Sequence, residues 1–338
     1  MKILKRFLKG AAIATLGMLA IVIIIGIILF CNHKMRCEKE KALLEPLGQI
    51  VEVNGHNISI YTEGSGEKTL VFLQGGAYPS PILEAKSLYS LLSDTYRIVV
   101  LERPGYGFSE EIDGFLSLDA LIDLEREALS KIGIEYPFIL VPHSASGIEA
   151  ILWAQKYPNE IEAIIGLDMS VPAYYEALYD LDAMRVAQGE NTLSVDITLF
   201  FYNTFGLTRF MAIEELLDSF KTGTLTDEDK EIYKALAYRI YPNRTMMLGM
   251  LSLPDDLELI NSMPKPSVPM LLFVSNGDEL MLDNAEAWSQ MQKDYISDNT
   301  QARIIQLDCG HSMHNIEYAY ISEEIRTFLN ELDYKERQ

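Results

Sequence analysis

Two hydrophobic patterns divide the chain. Residues 11–30, AAIATLGMLAIVIIIGIILF, are uncharged and mostly apolar on every side. A helix of twenty such residues rises about 30 Å, the thickness of a bilayer's hydrocarbon core. From Thr69 onward the apolar residues come in short runs broken by polar turns. The runs at 69–73, 97–101, 136–141 and 161–167 have the length and β-forming content of buried strands. Between them, 81–93, 118–132 and 148–156 show helical spacing. This alternation predicts βαβ units and a mostly parallel sheet with helices on both faces. Upstream, Asn54-Gly55 between two alternating runs predicts an antiparallel hairpin.

The alternation stops after Asp168. Helical patterning follows at 174–188, 194–205, 207–220 and 227–243, then a methionine-rich piece at 246–250. A proline-rich return at 264–269 leads to a strand at 270–274, a helix near 284–292, a last strand at 302–307 and a closing helix at 317–332. The expected organisation is a basic leader (1–10), a transmembrane helix (11–30), a charged stem (31–48), an α/β core (49–168 with 266–338) and a helical cap (169–265).

Charge refines the first of these assignments. Lys2, Lys5, Arg6 and Lys9 precede the apolar run, and Leu29-Phe30-Cys31-Asn32 lacks the small residues that cleavage or lipoprotein processing requires. An uncleaved single-pass anchor is therefore expected, with the short basic leader inside and the body on the extracytoplasmic side. The whole chain of 338 residues carries −21. Its first 41 residues contribute +6, so the remainder carries −27. A body so acidic argues against nucleic acid as a partner, because phosphate binding needs a basic face. Cys31, Cys37 and Cys309 form neither C-x-x-C nor a zinc spacing, so no metal, cofactor or disulfide framework is expected. The sequons at 57–59 and 243–245 are expected to be chance matches.

Candidate chemistry begins at Pro142-His143-Ser144-Ala145-Ser146-Gly147, a turn between a buried strand and a helix. A serine on such a turn lifts its hydroxyl out of the sheet, and the following N–H and helix N-terminus can face an oxyanion. The usual pattern is G-x-S-x-G; here Pro142 and Ser146 hold the glycine positions. Taken alone, the stretch also fits an ordinary helix N-cap by Ser144 or Ser146. Order along the chain adds weight to the first reading. Ser144 follows a central strand, Asp278 a late strand and His311 the last. A hydroxyl needs a base to remove its proton, and the base needs a carboxylate to fix its tautomer. Asp168, also at a strand end, is the alternative acid.

At this point the chain resembles the α/β-hydrolase superfamily over roughly 49–332. Val71-Phe72-Leu73-Gln74-Gly75-Gly76 looks like its oxyanion segment, and Glu102-Arg103-Pro104-Gly105-Tyr106-Gly107-Phe108-Ser109 like its D-R-P-G-x-G-x-S loop. His143-Ser144-Ala145-Ser146-Gly147 resembles its nucleophile elbow, Ser275-Asn276-Gly277-Asp278 its acid segment, and Gly310-His311-Ser312 its base segment. The resemblance implies Ser144 as nucleophile, His311 as base, Asp278 as orienting acid, and the N–H groups of Gly76 and Ala145 as oxyanion hole. It also implies a cap where the helical insertion lies. A serine at the elbow argues against the haloalkane and epoxide hydrolases of this fold, which use aspartate there. The expected function is hydrolysis of a carboxylic ester or related small acyl substrate through an acyl-enzyme on Ser144, with a lipophilic substrate if the anchor and apolar insertion are a guide. Chain-end peptidase, thioesterase and acyltransferase are alternative chemistries, and a catalytically idle binding scaffold is the competing class. Gln74 and Glu102 depart from the family's usual His and Asp.

Overall fold

The hairpin at Asn54-Gly55 forms as its sequence predicts. Both residues take positive φ (52° and 84°), as the tight turn requires, and Val53 pairs with His56 across it. In the computed structural model, which describes residues 2–76, 78–114, 116–188, 192–222, 224–282 and 284–336, this hairpin is the edge of one sheet. Its strands are β1 (Gln49–Val53), β2 (His56–Glu63), β3 (Thr69–Leu73), β4 (Arg97–Glu102), β5 (Phe138–Pro142), β6 (Ile161–Leu167), β7 (Met270–Val274) and β8 (Ala302–Gln306). Their order is β1-β2-β4-β3-β5-β6-β7-β8. The first three pair antiparallel and the rest are parallel. β5, which precedes Ser144, lies near the middle.

Period-two alternation splits the strand side chains between two cores. Val71, Leu73, Leu140 and Ile164 pack with α3 (Leu118–Lys131), α4 (Ser146–Lys156) and α13 (Ala285–Tyr295). Leu70, Phe72, Ile139 and Ile165 pack with α2 (Pro81–Leu92) and α15 (Tyr318–Glu336). Both faces are covered, which is why these strands read as continuous apolar runs.

Between β6 and β7 the chain is helical. It comprises α5 (Pro172–Leu178), α6 (Leu181–Gln188), α7 (Leu193–Phe205), the short α8 (Ile213–Leu216) and α9 (Asp218–Lys221), α10 (Asp227–Ile240), α11 (Arg244–Leu248) and α12 (Leu253–Asn261). The helix α12 was not expected from the sequence; Pro254 sits at its N-terminus, where proline is favourable. The helical layer joins the core through Leu83 of α2, which packs with Phe220, Ile232, Tyr233 and Leu236. At the same seam, buried Glu84 accepts hydrogen bonds from Ser219 (2.9 Å), Tyr233 (3.0 Å) and Asn315 of α14 (Met313–Ile316; 2.8 Å). Burial raises its pKa to about 7.

At the N-terminus, α1 (Lys2–Glu40) runs unbroken through the expected leader, the apolar run and most of the expected stem. Pro46 is the first proline of the chain, so no strong helix breaker interrupts it. Its apolar stretch is long and apolar enough to cross a membrane, and none of it is buried against the rest of the protein. Neither sequon asparagine is free. Asn57 donates to Glu110 (2.8 Å), while Asn243 is buried, donates to the Gly105 carbonyl (2.5 Å) and caps α11.

Candidate active site

The elbow is built by close backbone contacts. Ser144 takes a positive φ of 53°, a conformation that L-residues adopt at a cost. What holds it there is visible around it. The Ser144 N–H donates to the Leu167 carbonyl (3.3 Å), and the Ser144 carbonyl accepts from the N–H groups of Gly147 (3.0 Å) and Ser170 (2.8 Å). A Cβ on Gly147 would lie 2.2 Å from the Ser170 carbonyl oxygen, so no side chain fits there. Ser146 fits in place of the usual glycine because its hydroxyl turns inward. It accepts from the His143 N–H (2.9 Å) and reaches the Leu73 carbonyl (2.5 Å), tying the elbow to β3. The N-cap reading is not what forms: α4 has no side-chain cap, and the Ser144 hydroxyl faces a histidine instead.

That histidine is His311. Its Nε2 lies 2.8 Å from Ser144 Oγ, and its Nδ1 lies 2.5 Å from Oδ2 of Asp168. The sequence-based expectation of Asp278 is corrected here, and the alternative, Asp168, holds the position. The reason lies in strand order. β6 is the immediate neighbour of β5, and His143 bridges to Leu167 in parallel register, so the residue after β6 emerges beside Ser144. Asp168 is fully buried, and its other oxygen accepts from the Ser275 N–H (2.8 Å) and the Trp288 indole (2.6 Å). Asp278 is exposed on the turn after β7, its N–H bonded to the Asn276 side chain (3.2 Å). Its neighbour Glu279 has a use the sequence did not signal: its carboxylate accepts the His311 N–H (2.7 Å) and holds the loop.

Three imidazoles cluster at this point. His143 lies 4.8 Å from His311 and 4.4 Å from His314, centroid to centroid. Burial, aided by the neighbouring rings, holds His143 well below the usual histidine value and brings His314 down to about 3. Both are therefore neutral at pH 7. Gln74, standing where the family has histidine, contacts His314 (Nε2 to Nε2, 3.3 Å) rather than the Ser144 side.

On the other side of Ser144 lies the 74–76 segment. A Cβ on Gly75 would sit 2.6 Å from Ser144 Cβ and 3.2 Å from its Oγ. Among the described residues, neither the Gly76 nor the Ala145 N–H has an acceptor. Both residues line a cavity of about 400 Å³. Its walls are mainly apolar, with Leu121 and Ile148 from the core and Tyr179, Met246 and Met250 from the helical layer. Arg103 and Asp256 are the basic and acidic residues that line it, and Glu149 ion-pairs with Arg103. Beside them Glu125 is pushed far above the carboxylate range, first by burial and then by the Glu149 charge.

Glu102, standing where the family has aspartate, braces the next loop. Its carboxylate accepts the Phe108 N–H (2.8 Å) and fills the space over Gly107, whose φ is 54°. Burial raises its pKa to about 7 from an ordinary 4.5. A raised acid binds its proton more tightly in the folded state. Its contribution is complete below pH 4.5 and is lost as pH rises to about 7, a loss of about 3 kcal/mol. Glu102→Gln is expected to remove that share of the pH dependence. Thermal unfolding of detergent-solubilised wild type and variant between pH 5 and 8 checks it; parallel curves would contradict it.

No family model matches the chain. Three similar proteins place it nonetheless. YbdG of Bacillus subtilis (strain 168) is 34% identical over 95% of this chain and 96% of its own length. Among solved structures, the Bacillus megaterium epoxide hydrolase covers 83% of this chain and 100% of its own at a TM-score of 0.61 and 19% identity. A thermophilic esterase from Thermogutta terrifontis covers 84% and 99% at 0.53 and 18%. At those identities the two structures speak to the fold alone. Strand order, elbow and intervening helical layer agree with the α/β-hydrolase fold of those two structures, and the protein belongs to one family with YbdG, which it matches over nearly its whole length.

Proposed function

We propose that the protein is a serine hydrolase acting on a carboxylic ester or related acyl compound. The observation that carries this is the continuous chain Ser144 Oγ – His311 Nε2, His311 Nδ1 – Asp168 Oδ2 beside an apolar cavity. In this reading His311 removes the Ser144 proton as Oγ attacks the acyl carbon. Asp168 accepts the Nδ1–H bond, which leaves Nε2 as the base and stabilises the imidazolium. The N–H groups of Gly76 and Ala145 receive the oxyanion. The C–O bond to the leaving group then breaks, and the alcohol departs with the His311 proton. Water, deprotonated by the same Nε2, releases the acid from Ser144 and restores the hydroxyl. The serine nucleophile favours an acyl-enzyme over the epoxide chemistry of the structurally similar hydrolase. Residues 11–30 serve, in the same proposal, as the membrane anchor.

Intact-mass labelling of the full-length protein by a fluorophosphonate tests this. A single adduct is expected on wild type, none on Ser144→Ala, and a greatly slowed one on His311→Ala. Folded wild type that takes no adduct would favour a binding scaffold instead.

A further inference from the structure

α7 carries an outward apolar face that none of the described residues covers. Ile197, Phe200 and Phe201 recur at helical spacing and are 50%, 58% and 48% exposed. An exposed face of this kind on a surface helix calls for an occupant. Its position relative to α1 identifies that occupant. Gly26 of α1 lies within the apolar run and packs beside Phe205: a Cβ there would be in van der Waals contact with the ring at 3.5 Å. Gly26 is four residues before Phe30, the end of the run, so this contact lies about 6 Å inside the apolar segment.

Above that level the contacts between the same elements turn polar. His33 is buried against Gly206, where a Cβ would approach its ring to 2.3 Å. Arg209 donates to His33 (3.0 Å), makes two 2.7 Å bonds to Glu40, and lies over the Tyr238 ring. The apolar-to-polar boundary along α1 therefore coincides with the boundary across α7 and the turn after it.

We infer that α7 lies in the interface of the same membrane leaflet from which α1 emerges, with Ile197, Phe200 and Phe201 inserted among the acyl chains. A depth of about 6 Å matches that of interfacial helices, which bury 5–10 Å into the headgroup and acyl boundary. Lys34, Arg36, Lys39 and Lys41 follow the apolar run at headgroup height, where anionic lipid would meet them. The arrangement also sets the source of substrate. α7 is tied to α11 by Arg244, which bonds Asp196 and Thr192, and α11 with its following turn supplies Met246 and Met250 to the cavity. The cavity wall is thus one helix away from the inserted face, and the substrate class is a membrane-dissolved amphiphile. This inference rests on reading residues 11–30 as a membrane span.

Tryptophan fluorescence in nanodiscs tests it on the full chain. Both native tryptophans, Trp153 and Trp288, are fully buried. The bilayer is phosphatidylcholine and phosphatidylglycerol with brominated or plain acyl chains. Tryptophan is placed at Phe200 or Ile197 in α7, at Leu19 in the span, and at exposed Tyr334 on α15. Bromination is expected to remove about half or more of the added emission in Phe200→Trp, Ile197→Trp and Leu19→Trp, at depths that acyl bromines reach. Tyr334→Trp is expected to be unchanged. Quenching at Leu19 without quenching at either α7 position would overturn the inference while leaving the span intact, the result if a second copy or another protein covered α7. No quenching at Leu19 would overturn both, and equal quenching at Tyr334 would overturn the orientation.

Discussion

Asp168→Asn is expected to lower kcat on an ester substrate by about 10⁴-fold, while Asp278→Asn stays within about two-fold of wild type. Asparagine keeps the shape of Asp168 but presents an amide to His311. The imidazole then has no reason to carry its proton on Nδ1, and Nε2 is no longer held as a base. The carboxylate's other bonds, to the Ser275 N–H and the Trp288 indole, show how tightly its direction is fixed. Asp278 has no such partners and is exposed. Steady-state kinetics of both variants decide the matter, with circular dichroism to establish that Asp168→Asn is folded. A 10³-fold or larger loss in Asp278→Asn, with Asp168→Asn near wild type, would return the acid to the turn after β7.

Gly75→Ala is expected to lower kcat by about 10²–10³-fold, the effect of losing one oxyanion donor. The new methyl would meet Ser144 Cβ at 2.6 Å, and neither side can yield easily. Ser144 is held by backbone bonds from Gly147 and Ser170, so the 74–76 segment must retreat instead. Its retreat carries the Gly76 N–H away from the carbonyl oxygen. The loss is expected in kcat rather than KM, because the cavity walls stay in place. An increase in KM alone would show that the segment shapes the cavity and not the oxyanion hole.

Much of this site is readable from the chain because it depends on local chemistry. The Ser144 turn, the Gly310-His311 pair and the glycines at 75 and 76 each stand in a short, self-contained pattern. The acid does not. Asp168 and Asp278 both follow strands, and only the side-by-side order of β5 and β6 decides which carboxylate reaches His311. No spacing along the chain carries that order. Glu84 and Glu279 were equally hidden, since their partners lie far away in sequence. Ser146 stands at a usual glycine position, and the bond from its hydroxyl to the Leu73 carbonyl forms only with β3 alongside. The strands were legible because both sheet faces are covered, which makes each run apolar throughout. In the helical layer several boundaries are set by local caps: Gly206 at positive φ ends α7, Thr226 and Asp229 form a capping box at the start of α10, and Asn243 caps α11.

The unbroken α1 has one more consequence. A flexible stem would let the body sweep a hemisphere above the bilayer and sample solutes in bulk water. A helix clamped through Arg209 and Glu40 acts as a rod, and the ten residues from Cys31 to Glu40 lift the body by only about 15 Å. If α1 spans the bilayer as proposed, the cavity keeps one height and one tilt, and diffusion is confined to two dimensions. The quantity that governs turnover is then the mole fraction of substrate in the leaflet. Adding inert lipid slows such an enzyme by surface dilution even when the amount of substrate per volume is unchanged.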